Sequence, residues 1–97
     1  MEKLSMKEIN NQLSEISKEW SLERQSIQRN FKFKNFIEAF SFMTAIALLV
    51  ERANHHPDWS NVYNKVTVVL STHEANGLTM KDFDLAKEID RVYESFV

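Results

Sequence analysis

His55, His56 and His73 are the three histidines of this chain, and all fall in one window of its second half. Histidine gives and takes protons near neutrality, since its unperturbed pKa is about 6.5. Two stand side by side in Glu51-Arg-Ala-Asn-His55-His56-Pro57-Asp-Trp59, and the third follows in Ser71-Thr-His73-Glu74. These look like loop or element-end positions, where scaffolds tend to carry chemistry. The pattern points to an acid–base site. Taken alone, His55 and His56 also read as surface loop histidines, and a zinc centre would need three or four converging ligands. Glu51, four residues before His55, could orient it through a carboxylate–imidazole hydrogen bond. It could equally be an exposed helix-end charge pairing with Arg52 or Lys87. Asp82 reads as an N-terminal helix cap, and Trp59 and Tyr63 as packing or pocket wall.

The elements that must position these residues fit within 97 residues, the size of one domain spanning 1–97. With so small a core, self-association would extend the buried surface. The absence of cysteine removes disulfides and thiolate metal sites. A hydrophobic content of 43% argues against disorder. A net charge of −2 without a basic stripe argues against direct nucleic-acid binding. The polar start, Met1-Glu-Lys-Leu-Ser-Met-Lys7, is no signal core. The longest apolar stretch, Ala45 to Val50, falls far short of the roughly 20 residues of a membrane span. A cytoplasmic location is expected, extending to the nucleus if the source is eukaryotic.

Met6, Ile9, Leu13, Ile16 and Trp20 mark one helical face, with Ser5 and Glu8 placed as a capping box. Ile27, Phe31 and Phe33 alternate with Gln28, Asn30 and Lys32 as a half-buried strand in which Arg29 is the odd member, and Trp20 to Arg24 is the candidate hairpin partner. Asn35 to about Ala53 is the strongest helix. Phe36, Phe40, Met43, Ala47 and Val50 form one apolar stripe; Ala39, Phe42, Ile46 and Leu49 form a second. One side would pack on a sheet and the other could meet a second subunit. Pro57 implies that this helix ends before His56. Val62, Val66, Val68 and Leu70 mark a strand or strand pair. The last helix starts at Thr79, just after Gly77, with Asp82 at its capping-box position, and buries Leu85, Ala86, Ile89, Val92 and Phe96. The order predicts an α+β fold: three helices on one face of a small antiparallel sheet of about four strands.

Glu51, His55, His56, Pro57, Tyr63, His73 and Asp82 together resemble the signature of the pterin-4a-carbinolamine dehydratases. The likeness extends through Phe36 to Thr44, His55 to Val66, Leu70 to Glu74 and Gly77 to Asp82, and covers about Trp20 to Ala86. The tracts Asn61-Val-Tyr-Asn-Lys-Val66 and Ser71-Thr-His-Glu74 are similar to the animal-type branch in particular. Asn76 departs from the small residue that many members carry before the glycine.

The resemblance implies a lyase that dehydrates 4a-hydroxytetrahydropterin to quinonoid dihydropterin, supporting tetrahydrobiopterin recycling. It implies His55 and His73 as the acid–base pair and His56 as a pterin contact within the same catalytic set. Asn54, Ser71, Thr72 and Glu74 would complete the substrate surface with the three histidines. Such a dehydration needs no metal and no cofactor, the pterin being the substrate. The family further implies a homodimer or homotetramer. In its animal-type branch it also implies a second role as dimerisation cofactor of a transcription factor, bound through the surface of the long helix.

Overall fold

Two reciprocal capping boxes set the first and last helices of the computed structural model, which describes residues 2–97. The Ser5 hydroxyl accepts the Glu8 amide at 3.2 Å, and the Glu8 carboxylate accepts the Ser5 amide at 2.8 Å, so helix α1 (Met6–Leu13) starts there. Thr79 and Asp82 repeat the device for helix α3 (Met80–Glu94). Helix α1 is shorter than its apolar spacing predicts. Ser14 donates its hydroxyl to the Asn11 carbonyl at 2.6 Å, and Asp90 captures the Ser17 amide at 3.0 Å. These bonds give the backbone an alternative to another helical turn. Ile16 and Trp20 are nevertheless buried, as their place on the apolar face required.

Strands β1 (Ser21–Glu23) and β2 (Ser26–Lys32) form the expected hairpin, with Glu23 facing Ser26 across a two-residue turn. No glycine is present, so Arg24 takes the left-handed conformation itself, at φ 54°, and the Ser26 hydroxyl ties back to the Glu23 carbonyl at 3.0 Å. The later β-branched run is likewise a hairpin, of strands β3 (Asp58–Val62) and β4 (Lys65–Leu70). Its turn runs through Tyr63, also left-handed at φ 51°, while the Asn61 side-chain amide bonds the carbonyls of Tyr63 and Lys65. Val62, grouped with the core valines by sequence, is exposed at this turn.

The antiparallel sheet has the order β1-β2-β4-β3. Ile27, Arg29 and Phe31 of β2 share its buried face with Val66, Val68 and Leu70 of β4. Residues from all three helices complete that core. The fold is α+β. Helix α2 (Phe36–Ala53) begins where Asn35 accepts the Glu38 amide at 2.9 Å. It turns Ala39, Phe42, Ile46 and Val50 inward and leaves Phe36, Ile37, Phe40 and Leu48 exposed. Arg29, the odd member of its strand, is buried because its guanidinium lies 2.6 Å from Asp90 and packs over Phe31 and Tyr93.

Candidate active site

The C-terminus of α2 delivers the first two histidines. Asn54 adopts the left-handed conformation at φ 51°, ψ 43°, and the amide of His55 returns to the Val50 carbonyl at 3.2 Å. Asparagine tolerates this conformation better than most residues. The reversal carries His55 inward, and Pro57 then leads into β3, consistent with the predicted helix stop. Asp58 at the start of β3 faces Val69 near the end of β4. Residues 54–57 and the segment after Leu70 therefore share one end of the sheet.

That second segment forms a closed loop. Thr72 and Gly77 exchange backbone hydrogen bonds at 2.9 and 3.4 Å, and residues His73–Ala75 make one 3-10 turn between them. Asn76 completes it at φ 55°, so the departure from the family pattern falls on a side chain suited to that conformation. His73 and Glu74 are exposed on the loop, Ser71 is half-buried at its base, and Thr72 is buried.

Helix α3 closes the arrangement from below. Asp82 is fully buried, and its Oδ1 lies 2.6 Å from His55 Nε2. Its Oδ2 accepts the Thr79 amide at 3.0 Å and the Thr72 hydroxyl at 2.8 Å. The two threonine hydroxyls lie 2.8 Å apart. The first turn of α3 also favours negative charge at this point. A carboxylate that would be costly to bury alone is thus fully hydrogen-bonded. Among the described residues, His55 Nδ1 makes no hydrogen bond, and it is not one of the sealed, unpartnered polar atoms.

The structure redistributes three of the sequence expectations. The Glu51 carboxylate lies 3.1 Å from His56 Nε2 rather than beside His55, and both side chains are largely in solvent. His55 has turned inward past the helix end, out of line with Glu51, and Asp82 is its partner instead. Glu51 pairs with neither Arg52 nor Lys87; Arg52 reaches Glu88, at 3.7 Å. Thr72, expected on the ligand surface, directs its hydroxyl to Asp82 and Thr79 and is 4% exposed. Asp82 does cap the helix, but the cap reading alone missed its bond to His55. The capping-box spacing marked the residue; nothing local in sequence marks a partner 27 positions away.

A pocket of about 130 Å³ opens beside His55, lined by Ala53, Lys81, Asp84, Leu85 and Glu88. A larger cleft of about 380 Å³ lies between Glu15, Ser17 and the later turns of α3, and carries no histidine. Among the described residues no group of three or more His, Asp or Glu side chains converges as a cation site. The arrangement is suited to proton transfer: one imidazole anchored by a buried carboxylate, and two solvent-facing imidazoles on the adjoining loops.

Comparison with known proteins shows the family to which the chain belongs. A protein of Rhizobium johnstonii is 50% identical over 93 residues, covering 94% of this chain and 91% of its own. One from Prochlorococcus marinus is 50% identical over 76 residues, covering 78% of this chain and 80% of its own. Both carry the provisional description pterin-4-alpha-carbinolamine dehydratase. The crystal structure of a transcriptional coactivator/pterin dehydratase from Brucella melitensis superposes with a TM-score of 0.90 at 39% identity, over 94% of this chain and 98% of that one. A pterin dehydratase-like RuBisCO assembly factor of the α-carboxysome shares the fold alone, with a TM-score of 0.64 at 17% identity over 76% of this chain and 86% of its own. The family profile described as Pterin 4 alpha carbinolamine dehydratase matches residues 2–92, and with that match and these relatives the chain belongs to the pterin-4a-carbinolamine dehydratase family.

Proposed function

We propose that this protein dehydrates a 4a-hydroxytetrahydropterin to quinonoid dihydropterin and water, returning the pterin to the tetrahydrobiopterin cycle. The observation that carries the reading is the 2.6 Å contact of His55 with buried Asp82, at the sheet end that also bears His56 and His73. In the reaction, a ring N–H bond next to the carbinol carbon breaks, and its electron pair forms the new C=N bond. The C–O bond breaks toward oxygen, which takes up a proton and leaves as water. Hydroxide is a poor leaving group at neutral pH, so a positioned acid and base contribute typically about 10²- to 10⁴-fold. His55 and His73 supply the two proton transfers. His56 contacts the pterin, and Asn54, Ser71 and Glu74 border it. The pocket beside His55 is small, so a flat bicyclic ring lies across the open loop rim, with backbone groups of the loops meeting its amide-like edge. The reaction is a redox-neutral elimination of water, and the reading calls on no metal or cofactor.

Stopped-flow decay of freshly generated 4a-hydroxytetrahydropterin, with and without the protein, tests this. Acceleration proportional to enzyme concentration supports the reading, and an unchanged rate refutes it.

A second reading has its own observation. Phe36, Ile37, Phe40 and Leu48 expose an apolar face on α2, and the Brucella melitensis protein is described as a transcriptional coactivator as well as a pterin dehydratase. We infer that this face joins copies of the chain into a dimer or tetramer in the cytoplasm. A transcription-factor partner on the same face is the alternative, and it would not need the histidines. Light scattering of the pure protein separates the two, because the alternative leaves the protein monomeric until a partner is added.

A further inference from the structure

We propose that Asp82, seated by Thr72 and Thr79, is a positioning residue that holds His55 with its proton on Nε2, so that Nδ1 is the atom that takes the substrate proton. This rests on the dehydratase reading above and assigns His55 the base and His73 the acid.

With Asp82 ionised and His55 neutral, the hydrogen-bond directions allow one assignment. The Lys81 amide donates to the Thr79 hydroxyl oxygen at 3.3 Å. The Thr79 hydroxyl proton is then free to go to Thr72, 2.8 Å away, and the Thr72 proton goes to Asp82 Oδ2 at 2.8 Å. The Thr79 amide, which can only donate, also points at Oδ2, at 3.0 Å. Both threonines thus direct donors at one carboxylate oxygen. Oδ1 is left to face His55 Nε2 at 2.6 Å. A carboxylate offers only lone pairs, so the nitrogen facing it carries the hydrogen; a neutral imidazole has one N–H, so Nδ1 keeps its lone pair. The four side chains are buried, and tight packing restricts the ring from flipping to exchange its nitrogens.

The step balances. Nδ1 accepts the proton from the pterin ring nitrogen, and the N–H pair forms the C=N bond. The hydroxyl leaves with its C–O pair and a proton from the His73 imidazolium. Asp82 lies against the His55 imidazolium so formed, and solvent restores both rings. Thr72 then serves the reaction through Asp82 rather than through the ligand.

Asp82→Asn gives the sharpest test. The Thr79 amide and Thr72 hydroxyl still demand an acceptor, so the new side chain places its oxygen at the former Oδ2 position and turns its NH₂ toward His55. Nε2 must then accept, and the proton moves to Nδ1. Nitrogen-15 spectra of the imidazoles should show the Nε2–H tautomer for His55 in the wild type and the Nδ1–H tautomer in the variant. The variant's kcat should fall at least ~100-fold with KM nearly unchanged, since a wrong tautomer in a comparable Asp–His pair costs about 10⁴-fold. Thr72→Val is the milder companion if Asp82→Asn does not fold, and should lower kcat by roughly tenfold at constant KM. A wild-type His55 protonated on Nδ1, an Asp82→Asn protein that keeps the Nε2–H tautomer, or a Thr72→Val protein with raised KM and full kcat would each overturn the assignment. The spectra need no substrate, so a wild type without turnover would sink the dehydratase reading while the tautomer was still judged.

Discussion

Asp90 on α3 lies 2.6 Å from Arg29 on β2, and the same carboxylate accepts the Trp20 indole N–H at 2.8 Å and the Ser17 amide at 3.0 Å. One acidic side chain thus joins the sheet, the last helix and the segment after α1. The pair is only 10% and 14% exposed, so removing one partner leaves a nearly buried charge uncompensated. Asp90→Ala should cost about 3–5 kcal/mol, read as a lower urea midpoint at unchanged m-value. The double variant Arg29→Met/Asp90→Leu should recover much of that loss. A cost below 1 kcal/mol for Asp90→Ala would show that the fold does not depend on this junction.

Substitution of the histidines should separate chemistry from binding. His73→Ala and His55→Ala should each lower kcat by about an order of magnitude or more. His55→Ala should also lower thermal stability, because it leaves Asp82 buried without one partner. His56→Ala should raise KM while leaving the melting temperature unchanged, since its ring and that of its Glu51 partner are largely in solvent. Full turnover in both the His55 and His73 variants would refute the acid–base pair.

The two faces of α2 should answer a charge differently. Phe40→Glu falls on the exposed stripe and should shift sedimentation toward smaller species without unfolding the protein. Phe42→Glu places a charge among Phe31, Phe33 and Tyr93, which pack on its ring, at a cost of several kcal/mol, and should unfold the chain. A wild type that sediments as a monomer at micromolar concentration would remove the interface.

Extensive treatment with a chelator should leave turnover unchanged, because in the proposed route the acid and base are histidines and no step uses a bound cation. Loss of activity that zinc restores would make the histidines ligands and overturn that route.

Acid should loosen α1 in a specific way. The Ser5 backbone amide, which donates to the Glu8 carboxylate, and after it the Ser5 hydroxyl beside that carboxylate hold the Glu8 carboxyl below the usual range. A depressed folded-state pKa means the stabilisation is present above the unfolded value and disappears as pH falls through the folded value. Amide exchange in Met6–Leu13, corrected for intrinsic rate, should therefore accelerate at low pH. In Glu8→Ala that pH dependence should be flattened. Equal pH dependence in both proteins would show that the box does not hold the helix.

Much of the fold was legible because its signals are local. Ser5 with Glu8, Asn35, and Thr79 with Asp82 announce helix starts through hydrogen bonds spanning three residues, and the apolar spacing of α2 shows which element lies against the sheet. The turns were harder to read. Arg24 and Tyr63 adopt left-handed backbone without being glycine, and Asn61 and Ser26 hold those turns through side-chain bonds that carry no conspicuous composition. The site divides in the same way. The histidines stood out by type and by family likeness, and their loops were placed correctly. The bond from His55 to Asp82 and the inward turn of Thr72 depend on α3 closing over the end of the sheet, which is a tertiary outcome.

The backbone bridge between Thr72 and Gly77 also bears on how such a site can diversify. It sets the loop tip, His73 to Asn76, apart from the threonine that grips Asp82. Substitution of Glu74 or Ala75 can therefore alter the loop surface while the His55 imidazole, held by Asp82, keeps its orientation. On the proposed reading, the carboxylate anchor of His55 and the loop tip that carries His73 and Glu74 are separately heritable, and changes beside His73 leave that anchor in place.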